Sequence, residues 1–256
     1  RHPERTVLDL IADDPCSAGC CEDNLVVQQG ADGKPVRAIG AMLQETPLVL
    51  MTKDDSGIKA IRDLAGRRVA VHADGEHLLR ILLHLHDVDV DTVDITVGGW
   101  SLDDLTAERF DAVQGYAITE AIALEAHGFS PRLVPLRHPS LAPQSQVIVT
   151  TPECLSSHET ILRRFLAATA EGWLQVLAQP DEAAAMLAAT CAGRTDASKN
   201  RRMLAMMAPL VVGAKGPQQI CQIDRERWRQ NIATYARFGL GARKVDVDNI
   251  VDDLFT

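Results

Sequence analysis

Apolar residues recur along this chain with two alternating periods, most clearly between Asp55 and Thr150. Ile58, Ile61 and Leu64 share one face of a helical turn that Gly66 stops, and Arg67-Arg68-Val69-Ala70-Val71-His72 then reads as a strand. Leu78, Leu79, Leu82, Leu83 and Leu85 predict the helix after it, and Val93-Asp94-Ile95-Thr96-Val97 the next strand. Ser101-Leu102-Asp103-Asp104 has capping-box spacing: the first and fourth side chains satisfy each other's free backbone N–H groups, so a short helix opens there. Phe110 to Tyr116 reads as a third strand, Ile118 to His127 as a helix stopped by Gly128, and Arg132 to Leu136 as a fourth strand. Strands alternating with helices predict an α/β fold whose mostly parallel sheets carry helices on both faces.

After the strand Gln146-Val147-Ile148-Val149-Thr150 the pattern turns helical. Leu162, Phe165, Leu166, Thr169, Trp173, Val176 and Leu177 keep the helix period, and Pro180-Asp181 breaks that helix and opens another through Ala183 to Ala189. Asp224 is placed to cap a helix that carries Trp228, Ile232 and Tyr235 and ends at Gly239.

An apolar fraction of 46% with 24% charged residues predicts a packed core. The 35 acidic residues exceed the 26 Lys and Arg, with no clustered basic patch, so no nucleic-acid partner is expected. The most apolar run, Leu78 to Leu85, is broken by Arg80 and His84, well short of the ~20 residues a transmembrane segment needs. Cys16, Cys20 and Cys21 crowd together while Cys154, Cys191 and Cys221 stand far apart, which gives neither a disulfide framework nor a zinc ligand set. Buried or incidental thiols are expected. Ser17-Ala18-Gly19-Cys20 has the small residues of a lipid-attachment site, but Asp9, Asp13 and Asp14 stand where that signal needs an apolar run. His72, His77, His84 and His86 lack metal-ligand spacing. No nucleophile elbow, phosphate-cradling glycine loop or Ser/His/Asp arrangement occurs, so no catalytic residue, cofactor or metal is expected.

Several segments stand in a family order: Gly33-Lys34-Pro35-Val36-Arg37-Ala38-Ile39-Gly40 leading into Glu45-Thr46-Pro47-Leu48-Val49-Leu50-Met51; Ser56-Gly57-Ile58 with Asp63-Leu64-Ala65-Gly66-Arg67-Arg68-Val69; and Phe110-Asp111-Ala112-Val113-Gln114-Gly115-Tyr116. Arg164-Phe165-Leu166-Ala167-Ala168-Thr169 with Gly172-Trp173, and Asp224-Arg225-Glu226-Arg227-Trp228, complete the series. Over most of its length the chain resembles the SsuA/THI5-like (NMT1) family of periplasmic-binding-protein folds, the solute receptors of ABC importers for sulfonates, nitrate and thiamine-pyrimidine precursors. The resemblance implies a type II fold of two α/β lobes around a cleft, lobe I at residues 1–65 plus 145–256 and lobe II at 66–144. The family's first strand and helix are not recognisable before Thr6-Val7-Leu8-Asp9-Leu10-Ile11, so lobe I is expected to be incomplete at its N-terminus. An extracytoplasmic location, periplasmic or lipid-anchored, and an ABC permease as partner follow from the resemblance. The chain shows no secretion signal, which leaves a cytoplasmic protein open.

Ligands of open α/β sheets sit beyond the carboxyl ends of strands, so the turns after each strand are the candidate positions. Ala73-Asp74-Gly75-Glu76-His77 follows the first lobe II strand. Anion-binding relatives place small hydroxyl residues there; two carboxylates here would oppose a sulfonate and suit a cationic or aminopyrimidine head. The same carboxylates also suit plain capping of the following helix, and both readings stand. Gly98-Gly99-Trp100 permits close backbone approach with an indole to stack on a flat ligand, or a turn with a packed ring. Tyr116 faces the cleft by family analogy, with Glu120 opening the next helix. Gln44, Glu45 and Thr46 are expected on the lobe I rim, and Asp23 there too unless it serves as a helix cap.

The leading expectation is a non-catalytic solute receptor for a small, polar, nitrogen-containing ligand resembling a thiamine-pyrimidine precursor. The alternatives are an enzyme on the same fold and a cytoplasmic ligand sensor. THI5-type enzymes use a cysteine-rich motif, a histidine and pyridoxal phosphate. Cys16, Cys20 and Cys21 do not match that motif in spacing or place, and Lys34, Lys53 and Lys59 sit in no cofactor context.

Overall fold

The computed structural model describes residues 6–14, 16–191, 193–240 and 244–255. In chain order the elements are α1 (Val7–Asp13), β1 (Ala18–Cys21), α2 (Asp23–Ala31), β2 (Arg37–Leu43), β3 (Leu48–Lys53), β4 (Arg68–Val71), α3 (Glu76–Leu85), β5 (Asp94–Val97), α4 (Leu102–Thr106) and β6 (Ala112–Tyr116). There follow α5 (Glu120–Ala126), β7 (Pro131–Pro135), β8 (Ser145–Thr150), α6 (Pro152–Ala178), α7 (Pro180–Thr190), α8 (Ala197–Val212) and α9 (Arg225–Arg237). The chain folds as two compact units, Arg1–Thr46 with Ser140–Thr256 as unit one and Pro47–Pro139 as unit two.

Unit two holds a five-stranded sheet in the order β5-β4-β6-β3-β7. β4 pairs parallel with β5 and β6, because α3 and α4 are the helical crossovers that parallel neighbours require. β3 pairs antiparallel with both β6 and β7, so it alone runs against the other four strands. Its side chains from Leu48 to Thr52 are buried on both faces, as an inner strand covered on both sides demands. The crossover through α5 from β6 to β7 leaves a slot one strand wide, and β3 fills it. Val49, Met51, Ala70, Leu105, Val113, Ala121 and Leu124 form the core that joins this sheet to α4 and α5.

Unit one holds a three-stranded antiparallel sheet, β1-β8-β2. Here β8, on which the chain returns, lies between β1 and β2. Ile39 and Ile148 pack with Leu162 and Leu166 of α6, and Leu43 packs with Val211 and Cys221.

The α/β class and the helix punctuation agree with the sequence pattern. Ser101 and Asp104 close a capping box at α4, and Gly66, Gly128 and Gly239 take positive φ where the pattern stopped helices. The sheets are mixed rather than mostly parallel. Each takes in, as an inner antiparallel strand, the segment on which the chain enters its unit. For the same reason the expected boundaries shift: the first crossing lies at Thr46–Pro47 rather than near residue 65, because β3 belongs to the unit-two sheet, and the return lies at Pro139–Ser140 rather than at 144.

The six cysteines are free thiols. Burial pushes Cys221 up to about 12 and raises Cys21 well above the usual thiol range, so both stay protonated and inert at neutral pH. Among the described residues no helix is long and apolar enough to cross a membrane.

Candidate functional site

In unit two, α3 leads the chain away from β4 on one side and α5 leads it away from β6 on the other. The connections therefore diverge at the carboxyl ends of β4 and β6, the point where an open sheet offers a crevice. Gln114 of β6 spans this point from below: fully buried, it accepts a hydrogen bond on Oε1 from the backbone N–H of His72 at 3.0 Å. Gly75 lies against that amide so closely that a Cβ would stand 2.0 Å from Gln114 Oε1. Any side chain there would have to push the Gln114 amide aside, although the φ of −97° is open to any residue.

Trp100, beyond β5, reaches across the edge of the sheet. Its indole Nε1 donates to the Val71 carbonyl at 3.1 Å, and its ring lies 4.7 Å from that of exposed His72 at an interplanar angle of 36°. The one polar atom of the indole is thus satisfied, and the two rings form a fixed, half-exposed aromatic platform. Neither Gly75 nor Thr119 caps its helix through a side chain, so the positive ends of α3 and α5 flank the same crevice. Glu120 folds back to accept the Tyr116 N–H at 3.1 Å and the Thr119 hydroxyl.

Of the residues chosen from sequence, Asp74 and His77 are exposed at the start of α3, Gly75 is buried beneath them, and Tyr116 is half-buried. Glu76 pairs with Arg80 one turn on, 2.9 Å away, so it already has a cationic partner rather than awaiting one from a ligand. The structure adds His72, Gln114 and Arg80 to this group. Gln114 could have been found as an amide inside an apolar strand, and Arg80 as the i+4 partner of Glu76. Among the described residues no group of three His, Cys, Asp or Glu is gathered to hold a metal.

The candidates in unit one gather into a buried polar node. Asp23, 1% exposed, accepts from the Gln144 backbone N–H (3.2 Å), Asn231 Nδ2 (3.0 Å) and the Tyr235 hydroxyl (3.1 Å). Beside it Ser145 donates to the Glu22 carboxylate and lies 2.8 Å from the Thr46 hydroxyl. Gln44 is buried, accepting from Gln144 Nε2 at 3.1 Å and donating to the Gln222 carbonyl at 2.9 Å. Glu45 stands 3.5 Å from Arg227 Nη2. Asp23 and Gln44 therefore tie the crossing segments to α2 and α9 rather than lining an open rim, because each oxygen or amide is already engaged.

Burial pushes the Asp23 carboxyl up to about 6, against the lowering effect of its donors. The folded state thus holds this proton more tightly than the unfolded chain. Asp23's contribution to stability is full below the ordinary value of 3.8 and is lost as pH rises through about 6. Relative to Asp23→Asn, which cannot titrate, the native protein is expected to lose roughly 1–2 kcal/mol between pH 5 and pH 8. Urea unfolding of both proteins at those pH values measures this, and a pH-independent difference would refute it.

The NMT1/THI5-like family matches residues 2–183. Riboflavin-binding protein RibY of Chloroflexus aurantiacus is 24% identical over 155 residues, covering 59% of this chain but only 44% of that protein, so the matched stretch is under half of the relative's length. Solved structures of sulfonate-binding proteins are among those that share the fold. The periplasmic aliphatic sulphonate-binding protein SsuA of Escherichia coli has a TM-score of 0.71 at 16% identity, over 96% of this chain and 78% of that one. The alkanesulfonate-binding protein SsuA of Xanthomonas axonopodis pv. citri, bound to MOPS, has a TM-score of 0.70 at 15% identity, over 96% and 84%.

Proposed function

The chain belongs to the NMT1/THI5-like family, and we propose that it is the solute-binding component of an ABC-type importer that takes a flat, nitrogen-containing heterocycle at the carboxyl edge of the unit-two sheet. The observation that carries this is the platform of Trp100 and His72 beside the uncapped start of α3. A flat ring stacks on the indole, which is fixed by its bond to Val71 and loses no freedom on binding. Carbonyl oxygens or ring nitrogens of the solute accept from the first backbone N–H groups of α3, where the helix dipole favours partial negative charge. The RibY relative, by its name a riboflavin binder, supports a ligand of this shape, and an aminopyrimidine of the thiamine-precursor kind has the same features at smaller size. Delivery to a membrane permease outside the cytoplasm completes the proposal.

A second reading, an alkanesulfonate ligand, is favoured by the same uncapped helix start and by the Glu76–Arg80 pair, which offsets one of the two acidic charges there. Asp74 remains exposed beside that helix start and opposes an anion.

Calorimetric titration with riboflavin, an aminopyrimidine and MOPS separates the readings. The heterocycles are expected to bind in preference to MOPS. Trp100→Ala is expected to weaken them at least tenfold, which at ~1.4 kcal/mol is within the range of stacking plus lost ring area. Tighter binding of MOPS, or heterocycle binding indifferent to Trp100→Ala, would overturn the proposal.

A further inference from the structure

α6, α7 and α8 border a solvent-open groove of about 430 Å³ built by unit one alone. Gly172, Trp173 and Val176 of α6, Ala183 and Leu187 of α7 and Leu204 of α8 make its walls, and Met186, 62% exposed, stands at its mouth. This volume and this mostly apolar lining with a few polar groups are those of small-molecule sites.

Gly172 is the most telling residue. It sits well inside the stretch of α6 that follows the kink at His158, where glycine costs about 1 kcal/mol relative to alanine. No close approach requires it, for a Cβ at this position would meet nothing within 4 Å, and it is not among the glycines of positive φ. What the missing side chain provides is space in the groove. Phe165 (49% exposed) and Ile161 (62% exposed) continue the apolar strip along the same face of α6, a face that would ordinarily be polar.

Charge narrows the occupant. Among the described residues of the lining, Glu182 is the one that carries a charge, and none is Lys or Arg. The neighbouring Asp181 is paired with Arg201. An anionic amphiphile would meet the Glu182 carboxylate without a compensating cation, whereas an ammonium finds a carboxylate and the amides of Gln175 and Gln179. We propose that this groove is a second binding site, for a cationic amphiphile whose hydrocarbon or aryl body fills the space over Gly172 against Trp173 and whose ammonium head lies at Glu182. The site is independent of the heterocycle reading of unit two.

The test uses octylammonium, with octanoate and octanol as probes of equal tail length. The protein is labelled with 5-fluorotryptophan, and the signal of Trp173 among the three tryptophans is assigned with Trp173→Phe. Octylammonium is expected to shift the Trp173 fluorine signal saturably, at least tenfold more tightly than octanoate. Glu182→Gln should bring octylammonium and octanol to equal affinity. Gly172→Leu fills open space with a better helix former, so it should keep or raise the melting temperature while abolishing the shift. Binding that survives Gly172→Leu, octanoate binding as tightly as octylammonium, or a Trp173 signal unmoved by all three probes would each overturn the proposal.

Discussion

Trp228→Ala is expected to lower the unfolding free energy by about 4 kcal/mol, among the largest effects of any single substitution in unit one. Trp228 is one of the largest fully buried side chains, 1% exposed on the inner face of α9. Removing it forfeits the transfer energy of the ring and leaves a cavity that the surrounding helices fill only in part. The loss does not stop at packing. The indole Nε1 donates to Gln144 Oε1 at 2.7 Å, and Gln144 is itself inaccessible to water, so the amide is left with a buried acceptor lacking its donor. Gln144 in turn binds Gln44, so the damage reaches both segments on which the chain crosses between its units. Trp228→Phe keeps most of the volume and loses only the N–H, for which about 1–3 kcal/mol is expected. Urea unfolding of the two variants measures the split. Equal losses would assign the role to the hydrogen bond, and a loss below ~1 kcal/mol for the alanine variant would remove α9 from the cooperative core.

The reason Asp23, Gln44 and Gln144 could not be placed from sequence is the same reason that this network matters. Asp23 and Asn231 meet across 208 positions, and Gln44 and Gln144 across 100. Nothing local distinguishes a carboxylate that caps α2, one that lines a rim and one that holds α9. The β3 segment presents the equivalent problem for the fold: Leu48 to Met51 is apolar on both faces, as in any inner strand, and only its partners β6 and β7 assign it to unit two. Where the information is local the sequence is explicit. The capping box at Ser101 and Asp104, the glycine stops and the leucine face of α3 each follow from residues within a few positions of one another. Strand ends are local too, so Trp100, Tyr116 and Gly75 are legible in the sequence, whereas Gln114 acts through a backbone contact 42 residues away.

That contact makes Gly75 the second position of large expected effect. An alanine methyl at residue 75 would stand 2.0 Å from Gln114 Oε1 and 2.5 Å from its Cδ and Nε2, distances no Cβ tolerates. Gln114 has no route to solvent, being 1% exposed within β6, so its amide must turn inside the core and release the His72 N–H. The freed backbone donor and the overpacked amide each cost roughly 1–3 kcal/mol, so Gly75→Ala is expected to destabilise unit two by about 3 kcal/mol. It should also displace His72 and the ring stacked on it, weakening any ligand held by that platform. A double-mutant cycle isolates the cause. Gln114→Ala alone loses the amide's hydrogen bond and leaves a small cavity, but in the double variant the new methyl occupies space the amide has vacated. The double variant is therefore expected to be more stable than the sum of the single losses by at least 1 kcal/mol. Additive losses in urea unfolding would mean that the Gly75 backbone, and not its approach to Gln114, is what the site requires.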